Sequence, residues 1–337
     1  RAVGKNETQG SVIQVGAIME KITFTLSVHS IRYEGASTRL IELRPPAGTY
    51  LPPVEAGAHI DVHISPTITR QYSLCNTPGE THRYIIGVAL DPCSRGGSRA
   101  LHEVIKEGDT LNIGGPRNHF ELLQSEDHSV LIGGGIGITP LLSMALQLEA
   151  QQRTWSLHYA AKSADVAPLF HTISTLAKQA RYGQVNVYFS QPVSQRMQVS
   201  KIMADAPKGS HFYCCGPLKL LEDFDACSED YPSNHCHSER FSGDLDVAKG
   251  GYTIVLARTG KEIYIKEEQT ILDALKAEKM NVTYACAEGV CGSCEVKVLE
   301  GTPDHRDDVL SESEKARNDT MMVCCSGAIS KRLVLDL

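Results

Sequence analysis

Hydrophobic positions along the chain change period twice. From about Ile18 to Phe120 they follow strand rules: Ile60-Asp-Val62-His-Ile64 alternates apolar and polar, Tyr84 to Leu90 is a buried run, and Pro/Gly clusters punctuate the pattern. One helix interrupts it, Ser98 to Glu107, with Ser98 as N-cap and Leu101, Val104 and Ile105 on one apolar face. From Val130 the pattern becomes strand, glycine turn, helix: Val130–Ile132, then Gly133–Pro140, then Leu141–Ala150 with Pro140 at the first helical position. Strands at Ser156–Ala160, Val185–Phe189 and His211–Cys215 alternate with helices at Pro168–Gln179 and Pro217–Cys227, which predicts a parallel sheet covered on both faces. Residues 228–250 are polar and aperiodic. Beyond them come a hairpin, Tyr252–Ala257 and Glu262–Lys266 around Arg258-Thr-Gly260-Lys, a helix capped by Thr270 and running to Lys279, and a strand Glu295–Leu299. A short helix with Ser311 and Glu314 in capping-box spacing and a closing strand Arg332–Leu335 complete an α+β unit.

This ordering predicts a multidomain chain. A loose tail (1–16) precedes a small antiparallel β-barrel with one helix (17–122) and an α/β parallel-sheet domain (123–235). A linker (236–250) leads to the α+β domain (251–337). Its 337 residues are enough for two or three cores, and an apolar fraction of 42% with 22% charged residues is that of a soluble globular protein. A net charge of −7 with no basic run argues against nucleic acid as a partner. Val130 to Leu146 carries no charge, yet it is short for a bilayer span and holds four glycines and Pro140, so no membrane segment is expected. The polar stretch Arg1–Gly10 is not a secretory signal, and the eleven cysteines do not form a regular framework. A reducing cytoplasm is the expected compartment.

Four of those cysteines stand apart. Cys286-Ala-Glu-Gly-Val-Cys291-Gly-Ser-Cys294, followed at a distance by Cys324, reproduces the C-x4-C-x2-C…C spacing of plant-type [2Fe-2S] ligation. Gly289 and Gly292 suit a loop whose amides approach inorganic sulfide, because they tolerate positive φ and present no Cβ. Structural zinc prefers paired C-x2-C knuckles and only one is present, while the seven remaining cysteines are too irregular for a disulfide scaffold. A cluster of this type moves single electrons, so the rest of the chain is expected to deliver or accept them.

Three further stretches carry candidate chemistry. Arg70-Gln-Tyr72-Ser73 pairs with Arg95-Gly96-Gly97-Ser98 at a helix start. Free amides and an arginine there suit a phosphate, and Tyr72 and Ser73 suit a flat ring, although the same residues equally describe a strand with surface Arg and Tyr. The G-x-G-x-x-P loop from Gly135 to Pro140 stands where dinucleotide folds cradle a pyrophosphate, or it is merely a tight turn. Cys214-Cys215-Gly216-Pro217 ends a strand on the same side of the predicted sheet; Cys215 either meets a substrate ring or is a small buried thiol. His235-Cys-His237 offers three candidate ligands crowded together without a fourth, which favours a connection over a metal site.

In this order, RQYSLCN, RGGS, GGGIGITP, YCCGP, the cysteine loop and RLVLDL make the chain resemble the phthalate dioxygenase reductase family, which includes vanillate demethylase and carnitine monooxygenase reductases. The resemblance implies an FMN-binding barrel, an NADH-binding α/β domain and a C-terminal plant-type ferredoxin domain of the β-grasp type. It assigns FMN to Arg70, Tyr72, Ser73, Leu74, Val88, Gly96, Gly97 and Ser98, and NADH to Gly134, Gly135, Gly137, Ile138, Thr139, Cys215, Gly216 and Pro217. Ser73, Cys215 and Phe241 fall in the hydride-transfer region, with Phe241 matching an aromatic beside the flavin although Ser238 stands where the family often has Phe. The cluster falls to Cys286, Cys291, Cys294 and Cys324. FMN rather than FAD comes from the resemblance. NADH rather than NADPH is supported by Lys162 standing without a second basic residue after the second α/β strand. The implied function is the NADH-dependent reductase of a two-component Rieske oxygenase, docking transiently. A phthalate-type dioxygenase is the first expectation, with a vanillate-type O-demethylase or carnitine-type monooxygenase as alternatives and a non-catalytic redox sensor as a distant one. Methane-monooxygenase-type reductases usually carry the ferredoxin domain first, unlike this chain. No acid or base catalyst is expected, because flavin chemistry needs orientation and tuning instead.

Overall fold

The computed structural model describes residues 23–65, 68–91, 94, 96–191, 196–241, 248–280 and 282–337. The tail 1–16 and Arg95 lie outside the described residues. Alternating side chains build the first unit: β1 (Thr23–Tyr33), β2 (Thr38–Arg44), β3 (His59–Ser65), β4 (Ile68–Ser73), β5 (Tyr84–Ala89) and β6 (Thr110–Arg117). They form one sheet in the order β4-β3-β6-β1-β2-β5, every pairing antiparallel. Its inward positions, among them Leu26, Ile41, Ile60, Leu74, Ile86 and Ile113, make one core. The outer strands β4 and β5 approach at a bridge between Leu74 and Ile86. Helix α1 (Gly97–Glu103) is shorter than expected. Leu101 is buried, but Val104, expected on the apolar face, lies past the last turn and is 64% exposed.

The second unit is a parallel sheet. Strands β7 (Ser129–Gly134), β8 (Trp155–Ala161), β9 (Gly183–Phe189), β10 (His211–Cys215) and β11 (Cys236–Glu239) lie in the order β11-β10-β7-β8-β9. Helices α2 (Ile138–Ala150), α3 (Phe170–Gln179), α4 (Val199–Asp205) and α5 (Leu218–Ser228) accompany them. Two separate apolar clusters line the sheet, one holding Leu131, Leu141 and Tyr159 and the other Val130, Ile132, Met203 and Phe224, so alternate residues of β7 serve opposite faces. Residues 236–239, expected within the linker, are instead the edge strand β11, which pairs in parallel with β10 from Phe212↔Cys236 to Cys215↔Glu239. The rings of His235, His211, His237 and Tyr213 stack face to face along this edge, with centroids 4.4 to 5.8 Å apart, so the histidine nitrogens do not converge on one point.

The third unit carries β12 (Tyr252–Leu256), β13 (Lys261–Ile265), α6 (Ile271–Ala277), β14 (Glu295–Glu300), β15 (Pro303–Asp304), α7 (Glu312–Arg317), β16 (Thr320–Met322), β17 (Gly327–Ala328) and β18 (Arg332–Leu335). The expected hairpin forms, with Leu256 opposite Lys261 and Gly260 at φ 68° in its turn. Both caps are present: the Thr270 hydroxyl accepts the amide of Asp273, and Ser311 and Glu314 complete a capping box. Among the described residues no helix is long and apolar enough to cross a membrane.

Candidate functional site

A cavity of about 490 Å³ opens where the three units meet. The antiparallel sheet contributes His59, Arg70, Tyr72 and Ser73; the parallel-sheet unit contributes Ile136, Thr139, Glu239 and Phe241; the third unit contributes Cys286, Glu288 and Cys291. Its volume is within the range of small-molecule and cofactor pockets. Burial holds the Tyr72 hydroxyl well above the usual tyrosine range, so it remains a neutral donor. Arg70 packs over Gly97, where an added Cβ would fall 2.6 Å from the arginine Cγ, so the absence of a side chain lets the guanidinium lie against the start of α1. Ser98 Oγ donates to Ser94 Oγ and accepts the Asp91 amide, which links these two residues to the start of α1. Leu74 and Val88 do not face the cavity. Both side chains are fully buried in the sheet core, and the neighbours Gly87 and Ala89 line the cavity instead, because successive strand residues point to opposite faces.

The glycine loop meets the end of β10 at close range. A Cβ on Gly137 would sit 2.3 Å from the carbonyl oxygen of Cys215, and one on Gly134 would sit 2.8 Å from Pro217 Cδ. Gly216 in turn would meet the Gly134 backbone at 3.0 Å. Gly135 takes φ 53°, a conformation that suits glycine. Two strand ends thus touch backbone to backbone, leaving main-chain groups rather than side chains to face a ligand at the carboxyl edge of the sheet. Of the expected dinucleotide residues Thr139 reaches the cavity, its hydroxyl donating to the carbonyl of Ile136, whereas Ile138 is fully buried in the core. Cys215 is also fully buried, with its Sγ 4.0 Å from Glu239 Oε2.

Glu239 was not singled out by its sequence, because the polar run Cys236–Glu239 hides a strand. Its accessible surface faces the cavity, and enclosure by protein pushes its carboxyl up to about 8. Phe241, 40% exposed, covers the cavity from the same segment, and Arg240 between them pairs with Asp225 and, at 3.5 Å, with Asp308 of the third unit.

The four sulfurs of Cys286, Cys291, Cys294 and Cys324 form one constellation: Cys286 contacts both Cys291 and Cys324, and Cys294 contacts Cys324. Backbone amides point at them. Glu288 donates to Cys286 Sγ and Gly289 to Cys324 Sγ, both at 3.2 Å, while Cys286 donates to Cys291 Sγ at 3.5 Å. Positive φ at Ala287 (57°), Gly289 (72°) and Gly292 (69°) turns these amides inward. Contact with Cys286 and burial push the Cys291 thiol far up, and contact with Cys324 and burial do the same to Cys294. Four thiolates crowd together stably only around cations, and amides converging on sulfur suit an anionic iron-sulfur core. The residues fit the group.

His59, a cavity residue missed in the sequence, is held neutral. Burial first, then the charge of Arg117, lowers it to about 3. His158 and His237 are lowered to about 4, each chiefly by burial. Unfolded histidines titrate near 6.5, so their contribution is fully present above that pH and is lost as pH falls toward 3 to 4. His59 alone is worth roughly 2 kcal/mol between pH 6.5 and 5. Glu239, which binds its proton in the folded state already below about 8, opposes it by a similar amount, so the net loss across that window is that of His158 and His237. The thermal midpoint followed by calorimetry is expected to fall across that window, and a flat profile would refute the assignment.

The 2Fe-2S iron-sulfur cluster binding domain family matches residues 254–328. The chain is 45% identical over 315 residues to the phenoxybenzoate dioxygenase subunit beta of Ectopseudomonas oleovorans, covering 93% of this chain and 97% of that one. Its fold superposes on phthalate dioxygenase reductase with a TM-score of 0.70 and 34% identity, over 94% of this chain and 98% of the other. On an intact type IV self-sufficient cytochrome P450 monooxygenase the TM-score is 0.83 at 36% identity, over 94% of this chain and 41% of that longer one. The chain is therefore an NADH-dependent oxidoreductase that uses FMN and a [2Fe-2S] cluster, and it belongs to the phthalate dioxygenase reductase family.

Proposed function

We propose that this chain takes electrons from NADH and delivers them one at a time to a separate Rieske-type terminal oxygenase acting on an aromatic acid, of the phthalate-dioxygenase kind. The observation that carries the reading is the single cavity lined by the antiparallel sheet, the dinucleotide loop and two cluster cysteines. Bound FMN would accept two electrons from NADH, and the cluster would pass them on singly. In this reading Arg70, with Gly96, Gly97 and Ser98, holds the flavin phosphate, while Tyr72 and Ser73 fix the ring. The main chain of Gly134, Gly135 and Gly137 with Cys215, Gly216 and Pro217 holds the dinucleotide. Phe241, at the mouth of the same cavity, would cover the ring and exclude water from it. Glu239, enclosed beside Cys215 and held largely protonated, would offer a neutral hydrogen-bonding carboxyl to a ligand at this end of the cavity.

The experiment is an anaerobic titration with NADH, following flavin and cluster absorbance together. Uptake of about three electrons per chain is expected, two at flavin and one at the cluster. Bleaching of the flavin alone would sink the reading. A second reading has the haem of a cytochrome P450 as acceptor, which the likeness to the self-sufficient monooxygenase favours. Substrate-dependent NADH oxidation with each class of terminal protein separates the two.

A further inference from the structure

The cluster loop does not merely lie near the flavin cavity; the antiparallel sheet grips it. Arg70 Nη1 donates to the carbonyl of Ala285 at 3.3 Å, next to Cys286. Gln71 Nε2 donates to the carbonyl of Cys291 at 3.2 Å and to Ser293 Oγ at 3.3 Å, and Arg117 Nη2 reaches the same hydroxyl at 3.3 Å. Ser293, itself 7% exposed, separates two cluster cysteines. Behind these contacts stands Asp61 on β3, 2% exposed. Its Oδ1 accepts from Arg117 Nη2 at 2.6 Å and from Gln71 Nε2 at 3.0 Å.

The register explains how one carboxylate reaches both. Asp61 is opposite Gln71 across the β3–β4 ladder, and a shift in the β3–β6 ladder between His59 and Asp61 brings Arg117 to its other side. The chemistry is directional. The Cys291 carbonyl needs a donor, and an amide free to turn would present its oxygen half the time; an anionic acceptor behind Gln71 keeps the NH2 edge toward the loop. Arg117 is likewise held in one fork orientation.

We infer that Asp61 is a positioning residue, one that touches neither the cluster loop nor the cavity but aligns Gln71 and Arg117 so that the loop carrying Cys286 and Cys291 is fixed against the flavin. This rests on the electron path proposed above, because its consequence is the spacing between donor and acceptor groups. Electron tunnelling falls steeply with separation, so a loop released from the sheet slows the flavin-to-cluster step while leaving the nicotinamide side unaffected.

The test uses the holoprotein and two variants, Asp61→Ala and Ser293→Ala. Hydrogen–deuterium exchange of residues 285–293 is expected to rise about tenfold in both, with the hairpin of β12 and β13 unchanged. NADH-driven reduction of cytochrome c, which draws on the cluster, is expected to fall about tenfold, while reduction of ferricyanide, which draws on the flavin, stays within about twofold. Unchanged loop exchange in both variants, or parallel loss at both acceptors, would overturn the inference. Should Asp61→Ala not fold, Ser293→Ala decides alone. If the unsubstituted protein reduces neither acceptor, the functional reading has failed, and the exchange comparison still judges the grip on the loop.

Discussion

Gly137→Ala is expected to cut the rate of flavin reduction by NADH about a hundredfold while leaving flavin and cluster content intact. The reason is space rather than backbone conformation, since φ at Gly137 is −62° and any residue adopts it. The added methyl would lie 2.3 Å from the carbonyl oxygen of Cys215, 2.4 Å from its carbonyl carbon and 2.6 Å from the amide nitrogen of Gly216. All three are main-chain atoms at the end of a central strand, held by the β7–β10 ladder up to Cys215↔Gly133, so nothing flexible is available to move. The loop and the first turn of α2 must therefore retreat by about 1 Å, and a displacement of that size at a reacting pair costs on the order of a hundredfold. Gly135→Ala is the internal control. No atom lies within 4 Å of its would-be Cβ, so its penalty is the positive φ of 53°, about 1 kcal/mol. Stopped-flow mixing with NADH under anaerobic conditions measures both, and a Gly137→Ala rate within about threefold of the unsubstituted protein would remove the glycine loop from the nicotinamide path.

What was legible in the sequence divides by range. The cysteine loop was readable because three of its four ligands, Cys286, Cys291 and Cys294, lie in one short stretch of chain, where spacing and geometry are nearly the same thing. Thr270 and the Ser311–Glu314 box were readable for the same reason. Strand β11 was not: Cys-His-Ser-Glu has no apolar alternation, and it is extended because β10 offers it a parallel edge, a tertiary cause that a local window does not contain. Losing β11 meant losing Glu239, which reaches the cavity only through that pairing. His59, Ile136 and Asp61 were hidden differently. Each is an ordinary strand or loop residue by sequence; the first two gain a place from the convergence of three units on one cavity, and Asp61 from the strand neighbours Gln71 and Arg117 that it bonds. Val104 failed in the opposite direction: its spacing suited an apolar face, but the helix stops at Glu103 and leaves it in solvent.

The adjacent pair Cys324-Cys325 gives the sharpest test of the cluster assignment, because spacing alone barely separates two neighbouring thiols. The structure does. Cys324 Sγ accepts the Gly289 amide and contacts Cys286 and Cys294, whereas Cys325 Sγ turns away to the carbonyl of Met322 and the hydroxyl of Ser326. Cys324→Ser is therefore expected to lose the cluster absorbance and to lower cytochrome c reduction about a hundredfold or more, with ferricyanide reduction kept within about twofold because the residues proposed to hold the flavin, Arg70, Tyr72 and Ser73, lie outside the cluster unit. Cys325→Ser should keep its cluster and lose only about 1 to 2 kcal/mol of stability, since a buried, weakly bonded thiol becomes a buried hydroxyl with two polar neighbours in reach. Iron and sulfide analysis of the two purified variants decides the matter. Cluster loss in Cys325→Ser with retention in Cys324→Ser would reverse the ligand assignment. Loss in both would mean that the segment after β16 tolerates no change at all, and that the fourth ligand is held by the fold around it as much as by its own sulfur.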